Sequence, residues 1–418
     1  MRRAAANAAA WLSSRGKIPI TPFAPYSTHM DDAALSTLVA EYAKPDPRTR
    51  EGVVAAIALE NVLKDEAEFS KPRMIVSSSG AHGWRPQFAA QKMLSIVRSG
   101  RGSDAAVAWL RLAPSITRGS GGAVKLLYGV ECAQAIPLTN EIRLLPFSEV
   151  PPSSTLDWIV SEHARANESP VVHGFTVAPS AALFRPGVVE PIFRDTSEDL
   201  QNQPPATFFS DLDDAARLLA LIPKMIPREA AHWFHYDDPD VALLGDFGLT
   251  RQGIELQPTM VTAPVEVTAE SMAGVVSAYR KLAKSDMERV NLALDRIVRS
   301  RCQFVTGNRA IDLAIVLEVL FMNADRDEHS YKISLRAARL LRDDVLARQR
   351  TFQEVRRLYE MRSTVVHTGS AKNEYNVDGT KVSAHEIVEA VDIVCTEAIR
   401  AFLRLGGIPS DWRAIELA

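Results

Sequence analysis

The stretch 308–321, NRAIDLAIVLEVLF, decides how the last third of this chain is read. Its apolar residues recur on every side of a 3.6-residue repeat, so a helix built from it has no polar face. Such a helix is buried all round, which makes it the centre of a helical bundle. Asn308 stands at its start as the expected cap. Asp312 and Glu318 interrupt the apolar surface, and a buried carboxylate without a cationic partner costs several kcal/mol. The next segment, HSYKISLRAARLLR (329–342), offers Lys332, Arg336 and Arg339 as partners.

Helical patterns continue on both sides of this core. ESMAGVVSAYRKLAK (270–284) and MERVNLALDRIVRS (287–300) precede it, and VLARQRTFQEVRRLYEMRSTVVH (345–367) follows. A capping box, Ser383 with Glu386, opens a final helix carrying Ile387, Val391, Val394, Ala398 and Phe402 at helix spacing. Residues 269–418 therefore read as an all-α bundle.

Upstream the pattern changes. In residues 121–268, AVKLLYGVECA (123–133) and EIRLLPF (141–147) are short β-type runs, and frequent prolines exclude long helices. The exception is SDLDDAARLLALI (210–222), an acidic start followed by an Ala/Leu-rich helix. GIELQPTMVTAPVEVT (253–268) closes this β-rich module in extended form. TRGSGGAVK (117–125), rich in glycine, reads as a flexible connector. Residues 1–120 are mostly helical, with runs from Asp31, over 52–67 and over 87–99; SSSGAHGW (77–84) reads as a loop. MRRAAANAAAWLSSRG (1–16) reads as a poorly ordered or loosely helical tail. The fold class is multidomain α+β: a mixed helical and β-rich N-terminal region, then an all-α bundle.

Composition narrows the function classes. Hydrophobic residues make up 46% of the 418, charged residues 24%, and the net charge is -3, as in ordinary globular proteins without a global field for nucleic acid or membrane. No run approaches the roughly 20 apolar residues of a membrane span. Cys132, Cys302 and Cys395 form no CxxC pair, which fits a reducing cytoplasm and neither a disulfide framework nor a zinc cassette. AHWFHYDDPD (231–240) holds His232, His235, Asp237 and Asp238, metal ligands on paper. On a strand, however, His232 and His235 point to opposite faces, so no metal site and no cofactor is expected there.

The chemistry-bearing pair lies in LYEMRSTVVH (358–367). Arg362 supplies a fixed, forked positive charge for phosphate, and five positions later comes His367, histidine being the side-chain type suited to moving a proton. Phe352, Val355, Tyr359, Arg362 and Val366 fall on one face at spacings of three and four, which places Arg362 in the apolar stripe. His367 lies roughly 140° away around the helix. The pair then diverges within one straight helix, so joint action needs either a changed helix end or the same element from another subunit. A twofold pairing of bundles would bring two arginines and two histidines into one cleft. Gly369 suits the helix stop. Between 336 and 362, eight arginines face four acids, a local excess able to track a phosphate backbone.

The blocks NRAIDLAIVLEVLF, YKISLRAARLL and LYEMRSTVVHTG, in that order, resemble the Apea-like branch of the HEPN superfamily over roughly residues 270–405. RLLPFSEVPPSS (143–154) and HWFHYDDPD (232–240) resemble segments that precede this domain. The resemblance implies a small helical bundle acting as a metal-independent endoribonuclease, often in phage defence or toxin–antitoxin systems. The R-x(4–6)-H motif falls on Arg362 and His367, with Ser363 where the family often carries Asn, Asp or His. It further implies support from Glu318, Asp312 and Tyr359, RNA contacts by Arg336, Arg339, Arg356 and Arg357, and a homodimer or higher homo-oligomer. The N-terminal region would sense a trigger or regulate. A non-catalytic HEPN module that holds a nucleotide, RNA or protein partner is the alternative; a metallohydrolase around His232, His235 and Asp238 is a distant third.

Overall fold

The structure is a computed structural model of the chain and describes residues 30–71, 73–77, 80–153, 155–161, 178–189, 193–195, 207–245, 263–322 and 329–417. The expectations for the tail 1–16 and for 253–262 lie outside the described residues. The protein is mixed α/β, with sheets toward the N-terminus and a helical C-terminal region. In chain order come α1 (Asp32–Ala43), α2 (Arg50–Leu63), β1 (Arg73–Ser77), β2 (Gly80–Trp84), α3 (Pro86–Arg98), α4 (Ser103–Leu112) and β3 (Gly119–Tyr128). Then follow β4 (Val130–Glu131), β5 (Ile136–Pro137), β6 (Arg143–Pro146), β7 (Ala181–Val189), β8 (Phe193–Asp195), α5 (Thr207–Leu219), β9 (Arg228–Tyr236) and β10 (Val265–Glu266). The last are α6 (Lys284–Arg301), α7 (Thr306–Phe321), α8 (His329–Leu341), α9 (Val345–Thr368), β11 (Glu374–Val377), β12 (Thr380–Ser383) and α10 (Ala384–Leu405). These elements form two compact units: Met1–Gly121 with Gly187–Pro205 and Phe234–Leu249, and Gly122–Pro186 with Ala206–Trp233 and Thr250–Ala418.

In the first unit α1–α4 pack on one another around Leu35, Leu59, Met93 and Leu110, all fully buried. Side-chain caps start the first two helices: Asp31 accepts from the Ala34 amide at 2.7 Å and Thr49 from the Gly52 amide at 3.1 Å. The segment read as a loop, 77–84, is largely strand β2, antiparallel to β1, with β8 on the other edge of β1. Its glycines hide that outcome locally. The anchor is Trp84, 3% exposed, whose ring meets Phe69, Phe88, Trp109 and Phe193. Arg111 joins Asp32, Glu66 and Glu68 at 2.9, 2.8 and 2.7 Å. Burial disfavours its charge, but hydrogen bonds to the three carboxylates outweigh that and push its pKa up.

The second unit holds most of a five-stranded sheet ordered β5-β6-β7-β3-β9, in which β5, β6 and β7 are antiparallel neighbours. Strand β3 occupies the segment read as a connector. A side chain at Gly122 would meet the Phe184 ring at 2.4 Å and the Arg185 carbonyl at 2.8 Å, so this glycine marks close packing rather than flexibility.

Helix α7 is buried over most of its surface but not all round. Asn308 is exposed, and Ile311, Ile315, Glu318 and Val319, one stripe at helix spacing, are only half-buried, so the expected fully buried helix keeps one partly open side. It begins at Thr306 after Val305, so Asn308 sits within the first turn and is not the cap. It packs against α6, α8, α9 and α10. The run 270–284 is two short helices, Ala269–Met272 and Val275–Tyr279, because Gly274 turns left-handed at φ 70° between them. The capping box at Ser383 and Glu386 is present. The region is not purely α, however. β11 and β12 form a hairpin whose two-residue turn, Asp378–Gly379, has φ of 49° and 82°.

The charged groups near α7 pair otherwise than expected. Asp312 meets Arg296 at 3.1 Å and Arg299 at 3.4 Å, both on α6, not Lys332, Arg336 or Arg362. Arg336 is 4% exposed. It pairs with Glu416 at 2.7 Å, donates to the Phe321 carbonyl at 2.6 Å and lies over the Trp412 ring. That arginine braces the bundle and has no face to offer RNA.

Close approach of α7 to α9 depends on Gly307, where an added Cβ would stand 2.7 Å from Cγ2 of Val365. A β-branched side chain in a helix has little rotamer freedom with which to yield. Gly307→Ala is expected to destabilise by about 1–3 kcal/mol, read as a lower urea midpoint at unchanged slope.

Candidate functional site

Helix α9 carries the Arg-His pair. Asp344 caps its start, accepting from the Ala347 amide at 2.8 Å, and Gly369 closes it in the left-handed region at φ 80°. Its buried line is Thr351, Val355, Leu358, Met361 and Val365. The expected stripe shares only Val355 with this line. Leu358 and Met361 are wholly apolar and win the interior over Tyr359, with its hydroxyl, and Arg362, with its charge. Arg362 is therefore exposed, as are Ser363, Val366 and His367.

The helix runs unbroken through both residues of the motif, so Arg362 and His367 diverge by roughly 140° within one chain. Arg362, Ser363 and His367 make no hydrogen bond or ion pair among the described residues. Tyr359 is half-buried and donates to the Ala314 carbonyl at 3.3 Å. Burial foremost, then the Glu318 charge, raises its pKa, while Arg362 acts in the opposite sense. Glu318, Tyr359 and Arg362 thus lie together electrostatically where α7 meets α9; Asp312 belongs to a separate cluster.

The local excess of arginine is partly neutralised. Arg342 pairs with Glu397 at 2.7 Å and Arg350 with Glu354 at 3.0 Å. Arg357 pairs with Glu360 at 2.9 Å and donates to the Asn376 carbonyl at 2.7 Å, which ties α9 to the hairpin. Hydrogen bonding by Lys372 and, against burial, by Arg357 holds the Glu360 carboxyl below its usual range. Arg339, Arg348, Arg356 and Arg362 have no acidic partner among the described residues. Arg348 donates to the Arg342 carbonyl at 2.7 Å, and Arg356 lies over the Phe352 ring at 5.9 Å. Between α8, α9 and the hairpin turn is a groove of about 500 Å³ lined by Leu335, Ala338, Arg339, Val345, Arg348, Gln349, Phe352, Gln353 and Asp378. Its place is not legible in the sequence, since it needs α8 beside α9.

A second polar cluster lies on the sheet. Lys125, 3% exposed, meets Asp213 at 2.7 Å and also Glu229, which in turn touches Nδ1 of His232 at 2.5 Å. Lys125, Asp213 and Glu229, with Arg217 and Asp295, line a cavity of about 220 Å³. No sequence pattern joins Lys125, Asp213 and Glu229, because they come from β3, α5 and β9. His232 is held by Glu229 and lies against the Phe209 ring, His235 lies 3.9 Å from Asp237, and burial lowers the His235 pKa against the pull of Asp237. No group of three metal-ligating side chains occurs among the described residues.

Burial alone would raise the Glu229 pKa, but hydrogen bonds from His232 and Lys125 dominate and lower it to about 2. A carboxylate depressed in the folded state contributes stability above its unfolded pKa, near 4.5, and loses it as pH falls toward 2. The melting temperature is expected to fall from about pH 5 toward pH 2. Glu229→Gln should fall less steeply over that window; a parallel decline in both proteins would remove Glu229 as a cause.

Compared with protein-family models, curated proteins and solved structures, the chain matches none. Among the described residues no helix is long and apolar enough to cross a membrane.

Proposed function

We propose that the chain is an endoribonuclease whose active site is completed by a second copy of itself, with Arg362 and His367 as its catalytic residues. One observation carries this reading. Arg362, Ser363 and His367 are exposed on the last two turns of a helix whose other face is locked into the bundle, and none is occupied internally. Exposed, unpartnered chemistry on a rigid support suits a site that a substrate or a second subunit completes. The likeness of 308–321, 331–341 and 358–369 to HEPN proteins supports the same assignment.

In this mechanism the guanidinium of Arg362 holds the scissile phosphate and stabilises charge as the phosphorane forms. His367 of one copy removes the proton from the ribose 2′-hydroxyl, whose oxygen attacks phosphorus in line. The bond from phosphorus to the 5′-oxygen breaks, and His367 of a second copy protonates the departing oxygen. The products are a 2′,3′-cyclic phosphate and a 5′-hydroxyl. Water is not consumed and no metal is invoked. Tyr359 and Glu318 position the arginine end of the helix. The cytoplasm is the proposed compartment, where thiols such as Cys132, Cys302 and Cys395, none of them in a disulfide among the described residues, persist. The first 265 residues are proposed to sense a trigger or to regulate, with phage defence or a toxin-like role as the setting.

The test is incubation of the full-length chain with total RNA in EDTA, followed by end-group analysis. Cyclic-phosphate ends, with single-stranded DNA left intact, are the expected result. Intact RNA across protein concentrations that span dimer formation would sink the nuclease reading in favour of a binding module.

A further inference from the structure

We infer that the groove between α8 and α9 is a nucleotide subsite that holds single-stranded RNA upstream or downstream of the scissile bond. The inference rests on the nuclease reading and adds the class of substrate and the residues that grip it. The groove joins two features that single-stranded nucleic acid needs. Arg339 and Arg348 supply positive charge with no carboxylate partner among the described residues. Phe352 supplies a ring that is half-buried, with Tyr331 against its edge at 5.6 Å and Arg356 across it. Stacking on such a ring contributes about 1–3 kcal/mol per base whatever the base, and Gln349 and Gln353 add donors and acceptors for a base edge. About 500 Å³ is within the range of a small-ligand cleft and suits one nucleotide rather than a duplex.

The direction of the helix supports the same occupant. At 100° per residue, Arg356, Ser363 and His367 all lie within roughly 60° of Phe352 on α9. They form one exposed line from the groove to the histidine, about 22 Å long at 1.5 Å per residue. A flexible strand seated at Phe352 therefore passes His367 without leaving that side of the helix. Asp378, at the hairpin turn, is the one acid in the groove lining and would keep a second phosphate out of that corner.

The experiment measures binding apart from cleavage. Full-length protein carrying His367→Ala is titrated into a labelled single-stranded 12-mer RNA and into the same sequence as a duplex, followed by fluorescence anisotropy at several salt concentrations. The single strand is expected to bind at least several-fold more tightly. Adding Arg339→Gln and Arg348→Gln should weaken it on the order of tenfold and lower the slope of log affinity against log salt by roughly 1.4, about 0.7 per phosphate. Phe352→Leu should weaken it about fivefold with the slope unchanged, the mark of lost stacking. Melting curves confirm that the variants fold, and the arginine changes alone suffice if the Phe352 variant does not. Unchanged affinity in the double arginine variant, or equal binding of duplex, would overturn the subsite. Binding that depends on these residues in a chain that never cleaves RNA keeps the subsite and removes the nuclease; cleavage with groove variants that bind normally removes the subsite alone.

Discussion

Arg301→Ala is expected to cost the fold about 3–5 kcal/mol, because it strands a buried carboxylate. The Arg301 and Asp392 side chains are each 3% exposed and lie 2.9 Å apart. Nε of Arg301 donates to both carboxylate oxygens of Asp392, at 3.2 and 3.0 Å. Nη1 donates to the carbonyls of Ala220, Ile222 and Met225 at 2.8, 3.1 and 2.7 Å. One guanidinium thus holds the chain leaving α5 against α6 and α10. Burial pushes the Asp392 pKa up, with Arg301 as the chief opposing influence. With alanine at 301, that carboxylate must take up a proton or the unit must open, and three carbonyls lose their donor. Urea unfolding followed by circular dichroism reads the loss. Arg301→Lys should recover only part of it, since an ammonium cannot reach this set of acceptors. The pair Arg301→Met with Asp392→Leu should recover more than either single change, because no buried charge is then left alone. A loss below about 1 kcal/mol for Arg301→Ala would show that water reaches Asp392 and that the pair is not structural.

His367→Ala is expected to reduce RNA cleavage by about 100- to 10,000-fold, the usual worth of a general acid or base. It should leave the melting temperature within about 1 °C, since His367 is exposed and makes no hydrogen bond among the described residues. That combination of a large rate effect with intact stability separates chemistry from scaffolding. Arg362→Ala should produce a comparable loss, and Arg362→Lys should recover little of it because a point charge does not reproduce the fork. Because the proposed site draws a His367 from each copy, mixing His367→Ala chains into the unaltered protein should lower activity more steeply than the fraction of unaltered chain. Cleavage by His367→Ala equal to that of the unaltered chain would end the role assigned to the histidine.

Some of this organisation is legible in the amino-acid pattern alone. The largely apolar character of α7, the capping box at Ser383 and the stop at Gly369 follow from interactions between residues at most four apart, which sequence displays directly. The Asp378–Gly379 hairpin carries its own signal, the Asp-Gly pair, but the long helical runs on either side mask it. The α9 stripe is displaced by about one residue from the face that periodicity favours. Periodicity alone admits two overlapping faces there, and the choice between Met361 and Arg362 rests on what α7 presents to them.

What the sequence determined by itself is the helical C-terminal region, a β-containing segment ahead of it, and the existence of an Arg-His pair at the end of a long helix. What only the tertiary structure decided is which charges find each other. Asp312 went to Arg296 and Arg299, Arg336 to Glu416, and Arg301 to Asp392 across 91 residues of chain. The same holds for the arginines left over to line a groove. The physical reason is range: capping and amphipathic periodicity act within one or two helical turns, whereas an ion pair forms wherever packing brings opposite charges together out of water. Packing of α6–α10 therefore settled which polar groups are spent inside the fold and which, Arg362 and His367 among them, remain exposed on its surface.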